Sequence, residues 1–352
     1  VLDSHTFHDI VSGRRRGVIA ALMRGLLRLA ETPYSLAVRF RNRRFDSGRG
    51  VHRVGVPVVS VGNLTLGGTG KTPMVEFLAR WFRDHDQRVT IVSRGYGAEA
   101  GSRNDEALEL EQKLPDVPHL QNPDRVAAAE TAIEEFETEL ILLDDGFQHR
   151  RIARDLDLVM IDALEPDGLG HVFPRGTLRE PLAGLARADI VALSRADMVD
   201  AAERQRIRER LQTYAASASW IEVAHRPIGL LSSTGETTSF DSLSGRNVAA
   251  ACGIGNPQAF RHTLDTCGMN VTAMREFADH HNYTREDVQS LSDWAGQLEV
   301  AAVLCTHKDL VKLRIDQLGG KPLWALSIGL EILSGHEALE KKLNRLIAGT
   351  DQ

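Results

Sequence analysis

The segment that most limits what this chain can fold into is Gly62-Asn-Leu-Thr-Leu-Gly-Gly-Thr-Gly-Lys-Thr-Pro73. It follows a β-branched run, Val56–Val61, and precedes an amphipathic stretch, Val75–Phe82. Strand, glycine-rich turn and helix in that order predict a P-loop. Glycines let backbone N–H groups curl around phosphate oxygens without a Cβ clash, and the following helix points its positive end at the anion. The residues expected to cradle the nucleotide are Thr65, Leu66, Gly67, Gly68, Thr69, Gly70, Lys71 and Thr72. Lys71 is expected to reach the β- and γ-phosphates, and the Thr72 hydroxyl to hold Mg²⁺. In the pattern G-x-x-x-x-G-K-[ST] the first glycine falls at Thr65, so Gly67 and Gly68 are read as supplying the freedom instead.

A P-loop needs an acidic partner for Mg²⁺ at the end of a neighbouring strand. Leu140-Ile-Leu-Leu-Asp-Asp145 has that form. Further short apolar runs, Val89–Ser93, Leu156–Ile161 and Ile190–Leu193, alternate with helical stretches such as Arg125–Phe136. The alternation predicts a parallel α/β architecture. After Ile221 the pattern restarts, with Val248–Cys252 and Val300–Cys305 as buried strands. The expected fold is therefore a P-loop NTPase-like parallel-sheet domain with a second, smaller α/β domain. The P-loop domain is assigned to residues 1–225 plus a C-terminal helix at about 335–352, and the smaller domain to 226–334. A length of 352 residues suits two domains.

Charge is distributed unevenly. The net charge is −6, yet residues 1–53 hold eleven arginines, no lysine and four acids, giving +7 and leaving −13 on the remainder. An acidic body argues against general nucleic-acid binding. A basic head suits an anionic membrane surface. Ile19, Leu22, Met23, Leu26, Leu27 and Ala30 form one helical stripe, with Arg24, Arg28 and Glu31 opposite and Pro33 expected to stop the helix. Two readings stand: a helix packed on its own domain, and an interfacial helix flanked by Arg14–Arg16 and by Arg39, Arg41, Arg43 and Arg44. No run reaches the 18 or so apolar residues of a membrane span, and no signal peptide is read. Cys252, Cys267 and Cys305 lack CxxC spacing and are read as free thiols.

Several words in the sequence go further than a phosphate site. VPVVSVGNLTLGGTGKTP (56–73), SRGYG (93–97), NDE (104–106), DDGFQHR (144–150), PRGTLREP (174–181) and FADHHNYT (277–284) occur in this order. Together they closely resemble the tetraacyldisaccharide 4'-kinases of lipid A biosynthesis, from about Val56 to the C-terminus. The departure at Thr65 is shared by that family. The resemblance implies transfer of the γ-phosphate of ATP, with Mg²⁺, to the 4'-hydroxyl of a tetraacyldisaccharide 1-phosphate. The product would be the 1,4'-bisphosphate lipid IVA. It implies a peripheral enzyme on the cytoplasmic face of the bacterial inner membrane, with the glycolipid and an anionic bilayer as partners and no obligate protein partner. Carried over by position, Lys71 and Arg179 act on the phosphates, Thr72, Asp144, Asp145 and Glu180 serve the metal, and Arg125, Gln148 and His149 meet the substrate. Asp105 and His280 would activate the sugar hydroxyl, and their placement in different domains predicts a site across a cleft. The chain departs from the family pattern near Asp105: Asn104 stands where the family usually has glycine, and the segment before it is short.

A guanine-specific GTPase is disfavoured. Thr306-His-Lys-Asp309 and Ser194-Arg-Ala-Asp197 both depart from Asn-Lys-x-Asp. A metal-assembly ATPase would want a Cys or His cluster, which is absent from the sequence pattern. A non-catalytic ATP-binding module leaves the acid, histidine and arginine set unexplained.

Overall fold

The computed structural model describes residues 4–95, 105–278 and 281–348. In chain order the elements are α1 (Ser4–Val11), α2 (Val18–Asp46), β1 (Val58–Asn63), α3 (Lys71–Asp84), β2 (Val89–Ser93), α4 (Asp105–Lys113), β3 (His119–Gln121), α5 (Arg125–Phe136), β4 (Leu140–Asp144), β5 (Leu156–Asp162), β6 (Ile190–Ser194), α6 (Ala201–Gln212) and β7 (Ser219–Leu231). There follow β8 (Thr237–Thr238), β9 (Asn247–Cys252), α7 (Pro257–Thr266), β10 (Asn270–Glu276), α8 (Arg285–Gly296), β11 (Val303–Thr306), α9 (His307–Leu313), β12 (Gln317–Leu318), β13 (Lys321–Ser334) and α10 (His336–Ala348). The chain forms two compact units, residues 1–94, 117–224 and 330–352 in the first, 95–116 and 225–329 in the second.

The first unit is built on a parallel sheet in the order β7-β6-β5-β1-β4-β2-β3. Strands β1, β2, β4 and β6 are buried along their whole length, which is why they read as unbroken apolar runs rather than as alternation. Beneath α5, Val126, Ala129 and Ala132 meet Val58, Ile141 and Leu143. Another cluster joins Leu64 and Phe147 to Val159, Val191, Ile207 and Leu211. The order places β1 in the middle, between β4 and β5, so the loop after β1 and the acids after β4 emerge at the same sheet edge. Helix α10 packs in this unit through Leu339 and Leu343.

In the second unit β10, β9, β11 and β13 are parallel in that order, while β8 and β12 make short antiparallel pairs with β7 and β13. The division differs from the expected one at residues 95–116, which cluster here and not with the P-loop unit. A buried polar network explains it. The His307 ring meets Gln112 Oε1 at 2.8 Å and Glu109 at 3.5 Å, Lys113 pairs with Glu109 at 3.1 Å, and Lys113 donates to the Ile328 carbonyl. Burial alone would raise the Glu109 pKa, but His307 and Lys113 outweigh it and bring it to about 2. Helix α4, which Asp105 opens, therefore belongs with α9 and not with the phosphate loop.

Helix α2 corrects two expectations. Pro33 does not end it; the helix runs 29 residues to Asp46. Proline in a helix interior costs about 3 kcal/mol, and anchors on both sides of it hold α2 together. Glu31 accepts from the Val172 N–H at 2.8 Å, the Tyr34 hydroxyl donates to the Arg179 carbonyl at 3.1 Å, and Asn42 donates to Glu180 at 2.7 Å. Nor does the apolar stripe pack onto its own domain: it faces outward, and charges opposite it face inward. Arg24 and Glu31 turn inward, Arg24 to the carbonyls of Ile10 and Arg15. Ile19, Leu22, Leu26, Leu29, Leu36 and Phe40 stand in solvent, with Ile19 at 76% and Phe40 at 77% exposure. No described helix is long and apolar enough to cross a membrane. Cys252 and Cys305 are buried, Cys267 half-buried, and all three are free thiols.

Candidate active site

The phosphate loop is held in shape by its own sequence and by a strap from far along the chain. Asn63, fully buried at the end of β1, donates through Nδ2 to the Thr65 carbonyl at 2.9 Å. Gly67 and Gly70 both take positive φ, +108° and +80°, and Gly70 is the residue from which α3 starts. Lys71 and Thr72 thus form the first turn of α3, where peptide N–H groups lack intrahelical partners. The first limb of the loop pairs with the LREP segment: the Leu66 N–H donates to the Thr177 carbonyl at 2.7 Å, and the Arg179 N–H to the Leu64 carbonyl at 2.6 Å. Arg195 donates to the Gly68 carbonyl at 2.9 Å. Thr65 and Thr69 are buried, and the Thr69 hydroxyl has no protein partner, whereas Leu66 is exposed. Space beside Gly67 and Gly68 is open. An orphaned hydroxyl inside a glycine cradle with free room suits a phosphate guest.

The acids lie directly across. In the β1–β4 register Val61 stands opposite Asp144, the buried last residue of β4. Asp145 follows in a left-handed conformation, φ 51°. Arg179 Nη1 donates to both of its carboxylate oxygens, at 2.9 and 2.7 Å, and Lys71 Nζ stands 3.5 Å from Oδ1. Burial favours the neutral acid, but Lys71 and Arg179 outweigh it and hold the carboxyl below its ordinary value. Arg125, buried at the start of α5, donates to the Asp145 carbonyl at 2.9 Å. Facing the turn from β1, Gly62 has no room for a Cβ, which would fall 2.5 Å from Phe147 Cβ and 2.7 Å from its backbone nitrogen. Loop and acid turn are thereby packed against each other.

The structure brings together Lys71, Thr72, Asp144, Asp145, Arg179, Arg125, Gln148 and His149, and it sets Glu180 in a buried hydrogen-bond network that includes Gln148. Glu180 is fully buried, and both oxygens are taken: Asn42 Nδ2 donates to Oε2 at 2.7 Å, while Gln148 Nε2 at 3.1 Å and Arg187 Nη2 at 2.9 Å donate to Oε1. Gln148 also donates to the Asn63 carbonyl at 2.9 Å, so it braces the loop from within. Among the described residues no group of three or more His, Cys, Asp or Glu side chains could hold a metal by itself. Mg²⁺ bound through one or two protein oxygens plus substrate phosphates needs no such cage. Thr72 and Asp144 fit that mode. His280 lies outside the described residues. Asp105 is the first residue of α4, and its side chain also lies outside the described ones.

His149 carries a pH signature. Burial, then the positive charges of Arg125, Arg154 and Arg151, lower its pKa to about 4, and its buried Nε2 has no protein partner. The imidazole is neutral at pH 7. A histidine with a lower folded than unfolded pKa binds fewer protons when folded, so its contribution to stability falls as pH drops from about 6.5 towards 4. Thermal unfolding between pH 7 and 4.5 should therefore show a slope that is shallower in His149→Gln; an identical slope would show His149 titrating normally.

Sequence reading missed Asn63, Asn42, Arg195 and Arg154. Asn63 had a signal, a buried-strand amide directly before a glycine-rich turn. Asn42 and Arg195 are recognised only through partners more than a hundred residues away, and Arg154 only through the turn seven and eight residues before it.

A parallel sheet with a glycine cradle at its central strand and a Lys–Asp–Arg cluster at the adjacent strand end defines a P-loop phosphotransferase. The family model described as tetraacyldisaccharide-1-P 4'-kinase matches residues 23–348. The chain belongs to that family. A tetraacyldisaccharide 4'-kinase from Anaeromyxobacter sp. (strain K) is 38% identical over 96% of this chain and 94% of its own length. A Halothermothrix orenii protein of the same name is 34% identical over 90% of each. The crystal structure of LpxK from Aquifex aeolicus in complex with ATP superposes with a TM-score of 0.76 at 29% identity, covering 92% of this chain and 99% of that one.

Proposed function

We propose that this enzyme transfers the γ-phosphate of ATP to the 4'-hydroxyl of a tetraacyldisaccharide 1-phosphate, giving the 1,4'-bisphosphate, at the cytoplasmic face of the inner membrane. The observation that carries this reading is the Lys71–Asp145–Arg179 cluster beside the glycine cradle in a chain of this family. Lys71 leaves Asp145 for the β- and γ-phosphates when nucleotide enters, and Arg179 keeps the acid in place. Mg²⁺, when bound, neutralises charge on the transferring phosphoryl. Thr72 and Asp144 are the residues assigned to hold it. Arg125, and neutral His149 with its free Nε2, line the acid turn as ligand contacts. A sugar hydroxyl needs a positioned base, and the resemblance assigns that work to Asp105 and His280. The direct test is incubation of the purified chain with labelled ATP, Mg²⁺ and the disaccharide 1-phosphate in detergent. A bisphosphorylated lipid supports the reading; ATP hydrolysis without lipid phosphorylation overturns it.

The outer face of α2 is proposed to dock on an anionic bilayer. From Ile19 to Phe40 its exposed large apolar residues recur at spacings of three, four or seven and lie beside Arg39, Arg41, Arg43 and Arg44. Each arginine near such a surface contributes about 1 kcal/mol, screened by salt. Replacing Ile19, Leu22 and Leu26 with serine should release the protein from phosphatidylglycerol-containing vesicles in co-sedimentation without changing its melting temperature. Unchanged co-sedimentation would remove α2 as the docking element.

A further inference from the structure

Beneath the acid turn lies a buried ion pair that none of the chemistry above uses. Arg154 precedes β5 and Asp157 lies on it. Each side chain is one-tenth exposed, and Arg154 Nε stands 3.6 Å from Asp157 Oδ1. Asp157 is paired in register with Ser60 of the central strand β1, the strand that leads into the phosphate loop. A buried pair contributes little net stability, because desolvation cancels most of the Coulomb attraction. Its placement therefore calls for another account.

Arg154 supplies one. Its Nη2 donates to the carbonyls of Gly146 at 2.9 Å and Phe147 at 3.1 Å. These are the two residues between Asp145 and Gln148. The same turn is pinned elsewhere by the Gly146 N–H on the Val61 carbonyl at 3.0 Å and the His149 N–H on the Gly146 carbonyl at 2.8 Å. There is no slack at its apex: a Cβ on Gly146 would fall 2.5 Å from Ser60 Oγ and 2.9 Å from Leu143 Cβ. Immediately before it, Asp145 holds a left-handed backbone conformation that a non-glycine residue keeps only when its surroundings impose it. The guanidinium is the one charged donor group on these two carbonyls among the described residues.

We propose that Arg154 is a positioning residue for phosphoryl transfer: its guanidinium, held by Asp157, fixes the peptides that set where Asp145 and His149 stand. The proposal rests on the reading of Asp145 as the active-site acid. Arginine suits the task because its planar fork can serve carbonyls and carboxylate at once, which a lysine ammonium cannot do in one geometry. Displacement of a catalytic group by about 1 Å costs on the order of 100-fold in rate.

The experiment is a double-mutant cycle on the full chain, with kinase assays in detergent and thermal unfolding on every variant. Arg154→Met should keep a cooperative unfolding transition and an ATP KM within about threefold of the parent, while kcat falls roughly 30- to 100-fold. Arg154→Lys should recover only part of that loss. On an Asp145→Asn background, Arg154→Met should lower kcat by less than about threefold further, because residues acting as a unit are non-additive. A folded Arg154→Met with parental kcat overturns the proposal, as does a loss that multiplies in full with that of Asp145→Asn. Should Arg154→Met fail to fold, the isosteric Asp157→Asn carries the same cycle with the same expected and overturning outcomes. Parental kcat in Asp145→Asn alone would instead overturn the reading of the acid, and the proposal with it.

Discussion

Lys71→Ala is expected to lower kcat by about three orders of magnitude or more while leaving the fold intact. A cation aimed at the transferring phosphoryl acts on transition-state charge, in a site where such interactions contribute most. Removal should not unravel the loop, since the loop's shape comes from other groups: Asn63 on the Thr65 carbonyl, the Leu66 and Arg179 peptide pairing, and Arg195 on Gly68. Nor is Asp145 left alone, because Arg179 still donates to both of its oxygens. The check is steady-state kinetics beside thermal unfolding. Parental kinase activity in a folded Lys71→Ala protein would remove the P-loop assignment.

Glu180→Ala should have the largest effect on stability, about 3–5 kcal/mol, the usual consequence of deleting one partner of a buried charge pair. Arg187 would be left without its carboxylate, Asn42 Nδ2 without the Glu180 acceptor, and Gln148 with the Asn63 carbonyl alone. Denaturant titration measures the loss. The milder Glu180→Gln separates the two roles open to this residue. If Glu180 serves only to brace Gln148 and α2, the Mg²⁺ concentration for half-maximal activity stays within about twofold in a folded Glu180→Gln protein. A rise of tenfold or more would return Glu180 to the metal. The buried setting with three protein donors favours the first outcome.

What the sequence revealed and what it hid divide along a physical line. Local features were legible: the glycine cradle, the unbroken apolar strands and the acids closing β4 are set by spacing and residue type within a dozen positions. Features that depend on partners far along the chain were not. Glu180 sits in a word that family resemblance ties to the metal, yet its surroundings come from residues 42, 148 and 187. Pro33 reads as a helix stop, and only the anchors of Glu31, Tyr34 and Asn42 let α2 run past it. Residues 95–116 follow β2 and read as part of the P-loop unit. The contacts of Glu109 and Gln112 with His307, and of Lys113 with Glu109 and the Ile328 carbonyl, put α4 in the other unit, which also undoes the expectation that Asp105 belongs with the P-loop unit.

Helix α2 has two working sides. Its inner side touches the strap of the phosphate loop through Tyr34 and Asn42, and its outer side is bare hydrocarbon for some 22 residues, about 33 Å at 1.5 Å per residue. On the docking proposed for α2, a rod of that length lying flat would fix the altitude of the phosphate loop above the lipid headgroups. The search for substrate would then become two-dimensional. A disaccharide already at the right height would need only to drift sideways, its acyl chains staying in the bilayer. The rate of encounter would follow the lipid's surface density and not its bulk concentration, so diluting substrate with inert lipid at constant total substrate should slow turnover.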